Sequence, residues 1–233
     1  MSLRFFLQAL FACSLVFAAC KQDTTEQTNK TEEPTEQSPE NVAPRNATGI
    51  SSDYENTDRV IWQKPEVVIE LLGDLSGKTV ADIGAGTGFF SRRLMEKADK
   101  VIAIDIDPRF VAYLDSVRIQ DLAPEQQNKL EPRLVQPNNP MLTPQEVNAV
   151  LIVNTFMYIQ NRIDYLNLLK KGLRPGGRLL IIDFKKKITP VGPPYEIRVP
   201  LFQVEEELQN AGFRIVSSND TSLEYQYIVL AEL

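Results

Sequence analysis

A glycine-rich turn is the segment of this sequence best suited to chemistry. Residues 80–88 read VADIGAGTG, in which an apolar strand runs directly into three glycines. Glycines at such a turn let the backbone approach a ligand at distances that a Cβ would obstruct. In an open α/β sheet the ligand lies in the crevice at the carboxyl ends of the strands. We therefore expect a ligand to lie against the backbone of this turn.

The spacing of these glycines departs from the fingerprint for dinucleotides. That fingerprint, G-x-G-x-x-G, requires glycine or alanine where this chain has Phe89, and the third glycine comes one residue early. Asp82 stands two residues before the first glycine, where its carboxylate would repel a pyrophosphate and attract an ammonium group. An NAD-dependent oxidoreductase is therefore disfavoured, whereas S-adenosylmethionine, whose methionine end carries an ammonium group, fits better.

A second acid ends the next expected strand. The segment KVIAID places Asp105 twenty-one residues after Gly84. A carboxylate at the end of this strand can accept hydrogen bonds from both hydroxyls of a ribose. NAD and S-adenosylmethionine both contain a ribose, so this feature does not separate them. A purely structural role as a helix cap suits Asp107 better, because Asp107 directly precedes Pro108.

Strands and helices alternate along the chain after residue 58. We expect strands at 78–83, 100–105, 133–136, 148–153 and 178–183, and helices at 58–73, 89–97, 108–118, 161–171 and 201–211. Continuously apolar strands separated by helices indicate a parallel sheet with helices on both faces. The last two runs, GFRIVSSND and SLEYQYIVLAEL, predict a pair of antiparallel strands. The prediction is an α/β fold with a seven-stranded, mostly parallel sheet.

Three segments in this order resemble motifs of class I S-adenosylmethionine-dependent methyltransferases: VADIGAGTGFFS, VIAIDIDP and LKKGLRPGGRLLIIDF. The similarity extends from about Arg59 to Leu233 and implies a Rossmann-like fold. It also implies that S-adenosylmethionine is cradled by the turn, at Gly84, Ala85, Gly86 and Gly88, with Asp82 near the methionine group and Asp105 on the ribose. Ile106 and Asn154, which follow the second and fourth strands, complete the cofactor contacts that we expect at strand ends.

The loop after the third strand departs from the pattern of this family. The family usually has an acid there to hold the adenine amine, whereas residues 136–140 of this chain read QPNNP. By register, Asn138 takes the place of the acid, and its amide oxygen can still accept one hydrogen bond. Alternatively, Asn138 occupies a proline-flanked turn because asparagine favours turns. Asn138 is therefore a candidate adenine contact, with the turn role left open.

Candidates for the acceptor side lie in three places. In this family the segment after the fourth strand, here residues 154–158, lies beside the sulfonium and the acceptor. Residues near the start of the domain are candidates for a lid, and loop 184–200, with three lysines and four prolines, is expected to shape specificity. The alternative to a substrate role is that Trp62 is an ordinary half-buried helix residue and that the three lysines form a solvated surface. The substrate candidates are Arg59, Trp62, Met157, Tyr158 and Tyr195.

Composition limits the chemistry and the partners. The 233 residues contain no histidine, which removes the commonest general base and metal ligand. Both cysteines lie in the first twenty residues, so we expect neither a disulfide nor a metal site in the domain. The net charge of −6 disfavours nucleic acid as a substrate.

Methyl transfer is an in-line displacement, so alignment of the acceptor matters more than a dedicated base. If a base is needed, Tyr158 and Asp183 are the candidates. We therefore expect an S-adenosylmethionine-dependent methyltransferase that acts on a small-molecule acceptor. The alternative is a catalytically inactive domain that binds S-adenosylmethionine or S-adenosylhomocysteine without turnover.

The N-terminus reads as a targeting signal. Residues 5–19, FFLQALFACSLVFAA, follow Arg4 as an apolar run typical of a secretory signal. Residues 17–20, FAAC, resemble the lipobox of bacterial lipoproteins, apart from Phe17 at the position of the usual Leu or Val. The resemblance implies cleavage before Cys20 and lipidation of its thiol, which would anchor the protein in the membrane of a bacterial cell envelope. An uncleaved anchor that keeps the domain on the cytoplasmic face is the alternative.

The segment that follows is too polar to fold by itself. Residues 21–45 contain no aromatic residue, three prolines and many Thr, Gln and Asn. Such a composition cannot bury enough apolar surface to offset the entropy of ordering. We expect a signal peptide at 1–19, a disordered tether at 20–45 and the methyltransferase domain at 46–233.

Overall fold

A computed structural model describes residues 59–233. The expected signal peptide, the tether with Cys20, and the first residues of the expected domain lie outside this range. Within residues 59–233, none of the helices combines the length and the apolar character that crossing a membrane requires.

A seven-stranded sheet forms the centre of the fold. Its strands are β1 Thr79–Ile83, β2 Lys100–Asp105, β3 Leu130–Leu134, β4 Val147–Val153, β5 Leu173–Phe184, β6 Arg214–Asn219 and β7 Gln226–Glu232. The strand order is β3-β2-β1-β4-β5-β7-β6. Strands β1 to β5 pair in parallel, and β7 lies antiparallel between β5 and β6. The predicted fold class, including the antiparallel pair at the C-terminus, is confirmed.

Within residues 59–233, six α-helices surround the sheet: α1 Arg59–Gln63, α2 Pro65–Glu70, α3 Phe89–Met95, α4 Pro108–Asp121, α5 Arg162–Gly172 and α6 Leu201–Asn210. The prediction of one continuous helix over 58–73 is wrong, because α1 and α2 are separated by Lys64. Lys64 has a φ of 47° and precedes Pro65, and the residue before a proline is sterically disfavoured in the α conformation. The break sets α1 apart as a short separate helix.

The core consists of two apolar clusters whose members alternate along the strands. Ala81 and Ile83 of β1 belong to one cluster, together with buried side chains of α5 and α6. Val80 of β1 belongs to the other, together with buried side chains of α2, α3 and α4. Because successive side chains of a strand point to opposite faces, helices cover both faces of the sheet.

The segment LRPGG begins β5 with an irregular pairing. Leu173 pairs with Val147, and regular pairing resumes only where Arg178 lies opposite Ala149. The four residues 174–177 bulge out between these two points, with Gly176 at a φ of 72°. The turn expected at this segment is therefore part of β5 and not a connection in front of it.

Candidate functional site

A cavity of about 420 Å³ lies at the carboxyl ends of the central parallel strands. This volume is typical of sites for small ligands. The predicted site residues that line it are Arg59, Gly84, Ala85, Gly86, Asp105, Ile106, Asn154 and Tyr158. A second cavity of about 500 Å³, between α3 and α4, contains none of the predicted residues, and it lies away from the strand ends where ligands of such sheets bind.

The glycine turn has the geometry of a ligand cradle. Gly84 has a φ of 75°, and a Cβ placed on it would lie 2.1 Å from Oγ1 of Thr155. Gly86 has a φ of 55°, and a Cβ placed on it would meet no protein atom within 4 Å. Since Gly86 lines the cavity, that open space belongs to the cavity. A side chain at residue 86 would fill the space that a ligand needs, so the turn fits a cofactor held against its backbone.

Gly88 differs from the other two glycines because it does not line the cavity. It has a φ of 82° and precedes α3, and a Cβ on it would lie 2.6 Å from Cδ2 of the buried Leu114. Its lack of a side chain therefore allows α3 to pack closely against α4.

The carboxylate of Asp105 is held at the end of β2 by two backbone donors. The N–H of Gly86 donates to Oδ2 and the N–H of Asp107 donates to Oδ1, each at 2.9 Å. Each carboxylate oxygen can accept a further hydrogen bond. Asp105 is thus oriented by the glycine turn itself, and it can accept two hydroxyl groups from the cavity.

Asp82 lies beneath the glycine turn and not on the cavity wall. It is buried, and Oγ of Ser91 donates to its Oδ2 at 2.6 Å. Burial raises the pKa of Asp82 to about 6, although the hydrogen bond from Ser91 and the charge of Arg59 act in the opposite direction. A carboxylate held this way can act on a ligand through its charge from behind the turn.

The segment that leaves β4 also lines the cavity, next to the glycine turn. Asn154 has a φ of 56°, which asparagine tolerates better than most residues, and its N–H donates to the carbonyl of Ile182 at 2.9 Å. Tyr158 ends a 3-10 turn, Phe156–Tyr158, and is 59% exposed. Asn154, Thr155 and Tyr158 therefore share one cavity with the glycine turn.

Asp183 is hydrogen-bonded to the backbone of this 3-10 turn, and neither Asp183 nor Met157, the middle residue of the turn, lines the cavity. The N–H of Met157 donates to Oδ2 of Asp183 at 2.9 Å, and the N–H of Phe184 donates to its Oδ1 at the same distance. Burial raises the pKa of Asp183 to about 7, against the effect of these two backbone donors. Asp183 therefore supports the turn that carries Tyr158, and of the two candidate bases only Tyr158 faces the cavity.

The raised pKa of Asp183 makes stability depend on pH. Its folded-state pKa of about 7 exceeds the ordinary value of 3.8, so between these values the folded state binds more protons than the unfolded state. The free energy of unfolding should therefore fall as pH rises, by about 2–3 kcal/mol from Asp183 alone between about pH 5 and about pH 8. Asp82 contributes in the same direction.

Urea unfolding at these two pH values measures the effect. Asp183→Asn should remove the part of the fall that Asp183 causes, whatever its effect on absolute stability. Asp121→Asn, at an exposed position that ends α4, is the control and should keep the wild-type fall. A full wild-type fall in Asp183→Asn would place the pH dependence elsewhere.

Three further candidates lie away from the cavity wall. Trp62 packs on the core, with its ring centroid 5.8 Å from that of Phe184 and 6.0 Å from that of Tyr225. Tyr195 is partly exposed, with Nζ of Lys186 5.2 Å from its ring centroid. Asn138 is exposed in a turn closed by a bridge between its neighbours, whereas Pro137 of the same loop lines the cavity.

Several cavity residues were missed from sequence. Phe110 lies in the first turn of α4, and its position just after Asp105 was a usable signal. Thr155 follows Asn154 at the end of β4 and was open to the same argument. Tyr165 reaches the cavity from α5, where the buried face of a helix gives no local sign of a site.

Loop 184–200 is organised by a residue that the sequence analysis did not single out. Arg198 is 5% exposed and lies with its guanidinium 5.2 Å from the ring centroid of Phe184. The guanidinium donates to Oγ1 of Thr189 and to the backbone carbonyls of Lys185, Lys187, Val191 and Pro193. A buried cation with several hydrogen bonds to the surrounding backbone fixes the path of the loop.

Comparison with known proteins supports one family. Residues 81–179 match the family described as "Methyltransferase domain". Demethylmenaquinone methyltransferase of Tropheryma whipplei (strain Twist) is 27% identical over 185 residues, which cover 76% of this chain and 70% of that protein. The tRNA U34 carboxymethyltransferase of Klebsiella pneumoniae subsp. pneumoniae is 30% identical over 135 residues, or 57% of this chain and 38% of that protein.

Solved structures agree with these relatives. A SAM dependent methyltransferase from Aquifex aeolicus superposes with a TM-score of 0.71 at 27% identity, over 81% of this chain and 98% of that one. The glycine cradle and the oriented carboxylate of Asp105 fit the cofactor that this similarity implies. These findings show that the chain is similar to S-adenosylmethionine-dependent methyltransferases, and they support S-adenosylmethionine as its cofactor.

Proposed function

We propose that this protein transfers the methyl group of S-adenosylmethionine to a small-molecule acceptor. One observation carries the proposal: a single cavity is lined both by the glycine turn with Asp105 and by Asn154, Thr155 and Tyr158. Cofactor and acceptor would therefore lie in the same cavity, which is what an in-line transfer requires.

The residues that line the cavity would have different roles in methyl transfer. When bound, S-adenosylmethionine supplies an electrophilic methyl group on a sulfonium. The glycine turn and Asp105 hold the cofactor in place, and the apolar walls, which include Ile106, Phe110 and Ile159, limit the access of water. The hydroxyl of Tyr158 can orient the acceptor through a hydrogen bond, and its ionised form, the phenolate, can take a proton from it.

A small acceptor is favoured over nucleic acid. The demethylmenaquinone methyltransferase is named for a small molecule and the carboxymethyltransferase for a tRNA, so the relatives include both kinds. The net charge of −6 gives this chain no electrostatic attraction for a polyanion.

The test is methyl transfer from S-adenosylmethionine with a radioactive methyl group. The acceptor panel should contain quinols and phenols, carboxylic acids, thiols, amines and bulk tRNA. We expect label on one small-molecule class and none on tRNA. Label on tRNA would contradict the proposal, and tight binding of S-adenosylhomocysteine without transfer to any acceptor would favour the inactive binding domain.

We also propose that Cys20 carries a lipid that anchors the protein in a bacterial cell envelope. The support is the FAAC segment at the end of the apolar run. Cys20→Ser should abolish labelling of the protein in cells fed a palmitate analogue. Cys13→Ser changes the other cysteine of the same run and is the matched control, which should keep the label. Loss of label from the Cys13 variant alone would contradict this assignment.

The side of the membrane decides how the cofactor reaches the domain. Cleavage and lipidation would place the domain outside the cytoplasm, where S-adenosylmethionine is not made. An uncleaved anchor would keep it inside. Digestion of the domain by a protease added to intact spheroplasts would favour the lipoprotein, whereas protection would favour the uncleaved anchor.

A further inference from the structure

A line of side-chain hydrogen bonds connects Arg59 in α1 to Asn154 at the end of β4. Nε of Arg59 donates to Oε1 of Gln63 at 2.5 Å, and Nε2 of Gln63 donates to Oε1 of Gln226 at 3.0 Å. Nε2 of Gln226 in turn donates to Oδ1 of Asn154. Both glutamines are 0% exposed, whereas Arg59 and Asn154, at the two ends, line the cavity. We call this line the amide relay.

The direction of the amide relay is set at its Arg59 end. A guanidinium can only donate hydrogen bonds, so Gln63 must turn its oxygen toward Arg59 and its nitrogen toward Gln226. Gln226 then receives this bond on its oxygen and presents its nitrogen to Asn154. The oxygen of Asn154 is thereby engaged, and its amide nitrogen is the group left to serve the cavity.

Packing alone does not explain two fully buried glutamines. A buried amide without partners costs about 1–3 kcal/mol, so each glutamine must be hydrogen-bonded to be tolerated. Apolar side chains of similar size would fill the same space without that requirement. The amides contribute something that apolar residues cannot, which is a defined orientation of donor and acceptor between Arg59 and Asn154.

We propose that Gln63 and Gln226 are positioning residues for the cofactor. Through the amide relay they hold the N–H₂ group of Asn154 toward the cavity, where it and the Arg59 guanidinium act as donors to one anionic group. The anion is the carboxylate at the amino-acid end of the cofactor, since charge-assisted bonds from two donors match a carboxylate. This inference rests on the binding of S-adenosylmethionine in the proposed function.

A single substitution reverses the donor-to-acceptor direction of the hydrogen bonds from residue 63 to Asn154 without shortening any side chain. In Gln63→Glu the new carboxylate still accepts from Arg59 and has its charge paired there, but it has no N–H to offer Gln226. Gln226 must then turn its nitrogen toward residue 63 and its oxygen toward Asn154. Asn154 must donate to Gln226 in response, so its oxygen faces the cavity and opposes a bound carboxylate.

Two ligands separate the effect on the carboxylate from an effect on the fold. S-Adenosylhomocysteine carries the amino-acid carboxylate, whereas 5′-methylthioadenosine has the same adenosine and a thioether sulfur without it. Calorimetry with the full chain should show that Gln63→Glu raises the Kd of S-adenosylhomocysteine about tenfold to a hundredfold. The Kd of 5′-methylthioadenosine should stay within about twofold, which also shows that the variant is folded.

The matched control is Gln209→Glu, which makes the same change of charge at an exposed position near the end of α6. It should leave both affinities unchanged. Wild-type affinity for S-adenosylhomocysteine in Gln63→Glu would overturn the proposal, and so would an equal loss for both ligands. If the wild-type chain bound neither ligand, the cofactor assignment in the proposed function would fail as well.

Discussion

Gly86→Val should abolish binding of S-adenosylhomocysteine while the domain stays folded. The Cβ of residue 86 would enter open space that belongs to the cavity, and the two methyl groups of valine would fill it. A ligand held against the backbone of this turn would then be excluded by direct overlap. Calorimetry should detect no binding, and circular dichroism should show that the fold is retained.

Valine at residue 86 would also strain the backbone, because Gly86 has a left-handed φ of 55°. A control must therefore separate the effect of strain on binding from the effect of overlap with the ligand. Gly77 offers a matched control: it has a φ of 72°, it has equally open space at the Cβ position, and it lies in the turn before β1, away from the cavity. At either position, valine should lower the free energy of unfolding by about 1–2 kcal/mol, because its side chain disfavours the left-handed conformation. Normal binding by Gly86→Val, or an equal loss of binding in Gly77→Val, would show that the open space at Gly86 is not the ligand site.

Asp105→Ala should weaken binding of S-adenosylhomocysteine by about 1.5–3 kcal/mol, which is the scale of hydrogen bonds to a charged group. The variant removes the carboxylate expected to accept the ribose hydroxyls. It also removes the acceptor of the Gly86 N–H, so the glycine turn loses one of its restraints. We therefore expect the loss at the upper end of this range, measured by calorimetry.

Asp99→Ala is the control for Asp105→Ala. The carboxylate of Asp99 also accepts a glycine N–H, that of Gly77 at 3.1 Å, but it lies in front of β2 at the opposite end of the strand from Asp105. This variant should bind S-adenosylhomocysteine as the wild type does. Unchanged affinity in Asp105→Ala would move the ribose contact to another residue.

Most strands of the sheet could be predicted well from the sequence, whereas the bounds of β3, at one edge of the sheet, could not. Strand β2 has the predicted bounds because all but its first residue are buried between two layers of helices, which leaves a continuous apolar run. Strand β3 was expected at 133–136 and is observed at Leu130–Leu134. It lies at the edge of the sheet and reads LEPRL, so partly exposed polar residues and Pro132 give it no apolar pattern.

The site residues that could be predicted are those indicated by neighbouring sequence, and the ones that were missed depend on contacts between distant parts of the chain. The glycine turn and Asp105 could be found because a strand end, a turn and a helix start are consecutive in sequence. The contact of Thr155 with the Gly84 position depends on how β1 and β4 pair. Gln63 and Gln226 are 163 residues apart, and nothing near either one indicates the other.

Asp183, a candidate base from sequence, is buried and does not line the cavity, which the sequence around it does not indicate. A carboxylate at the end of a parallel strand was a reasonable candidate base, but position along a strand does not reveal what covers its end. The 3-10 turn Phe156–Tyr158 lies between Asp183 and the cavity, and it uses the carboxylate as an anchor for its backbone.

The way Arg198 holds its loop bears on how this protein can evolve. Most of its hydrogen bonds go to main-chain carbonyls, which every residue type supplies equally. The side chains of Lys186, Ile188 and Tyr195 can therefore mutate without removing any acceptor of this guanidinium. Because one cation holds the backbone path, the surface of the loop can change while that path is kept, so this loop is a natural place to diversify when variants of the protein are selected in the laboratory.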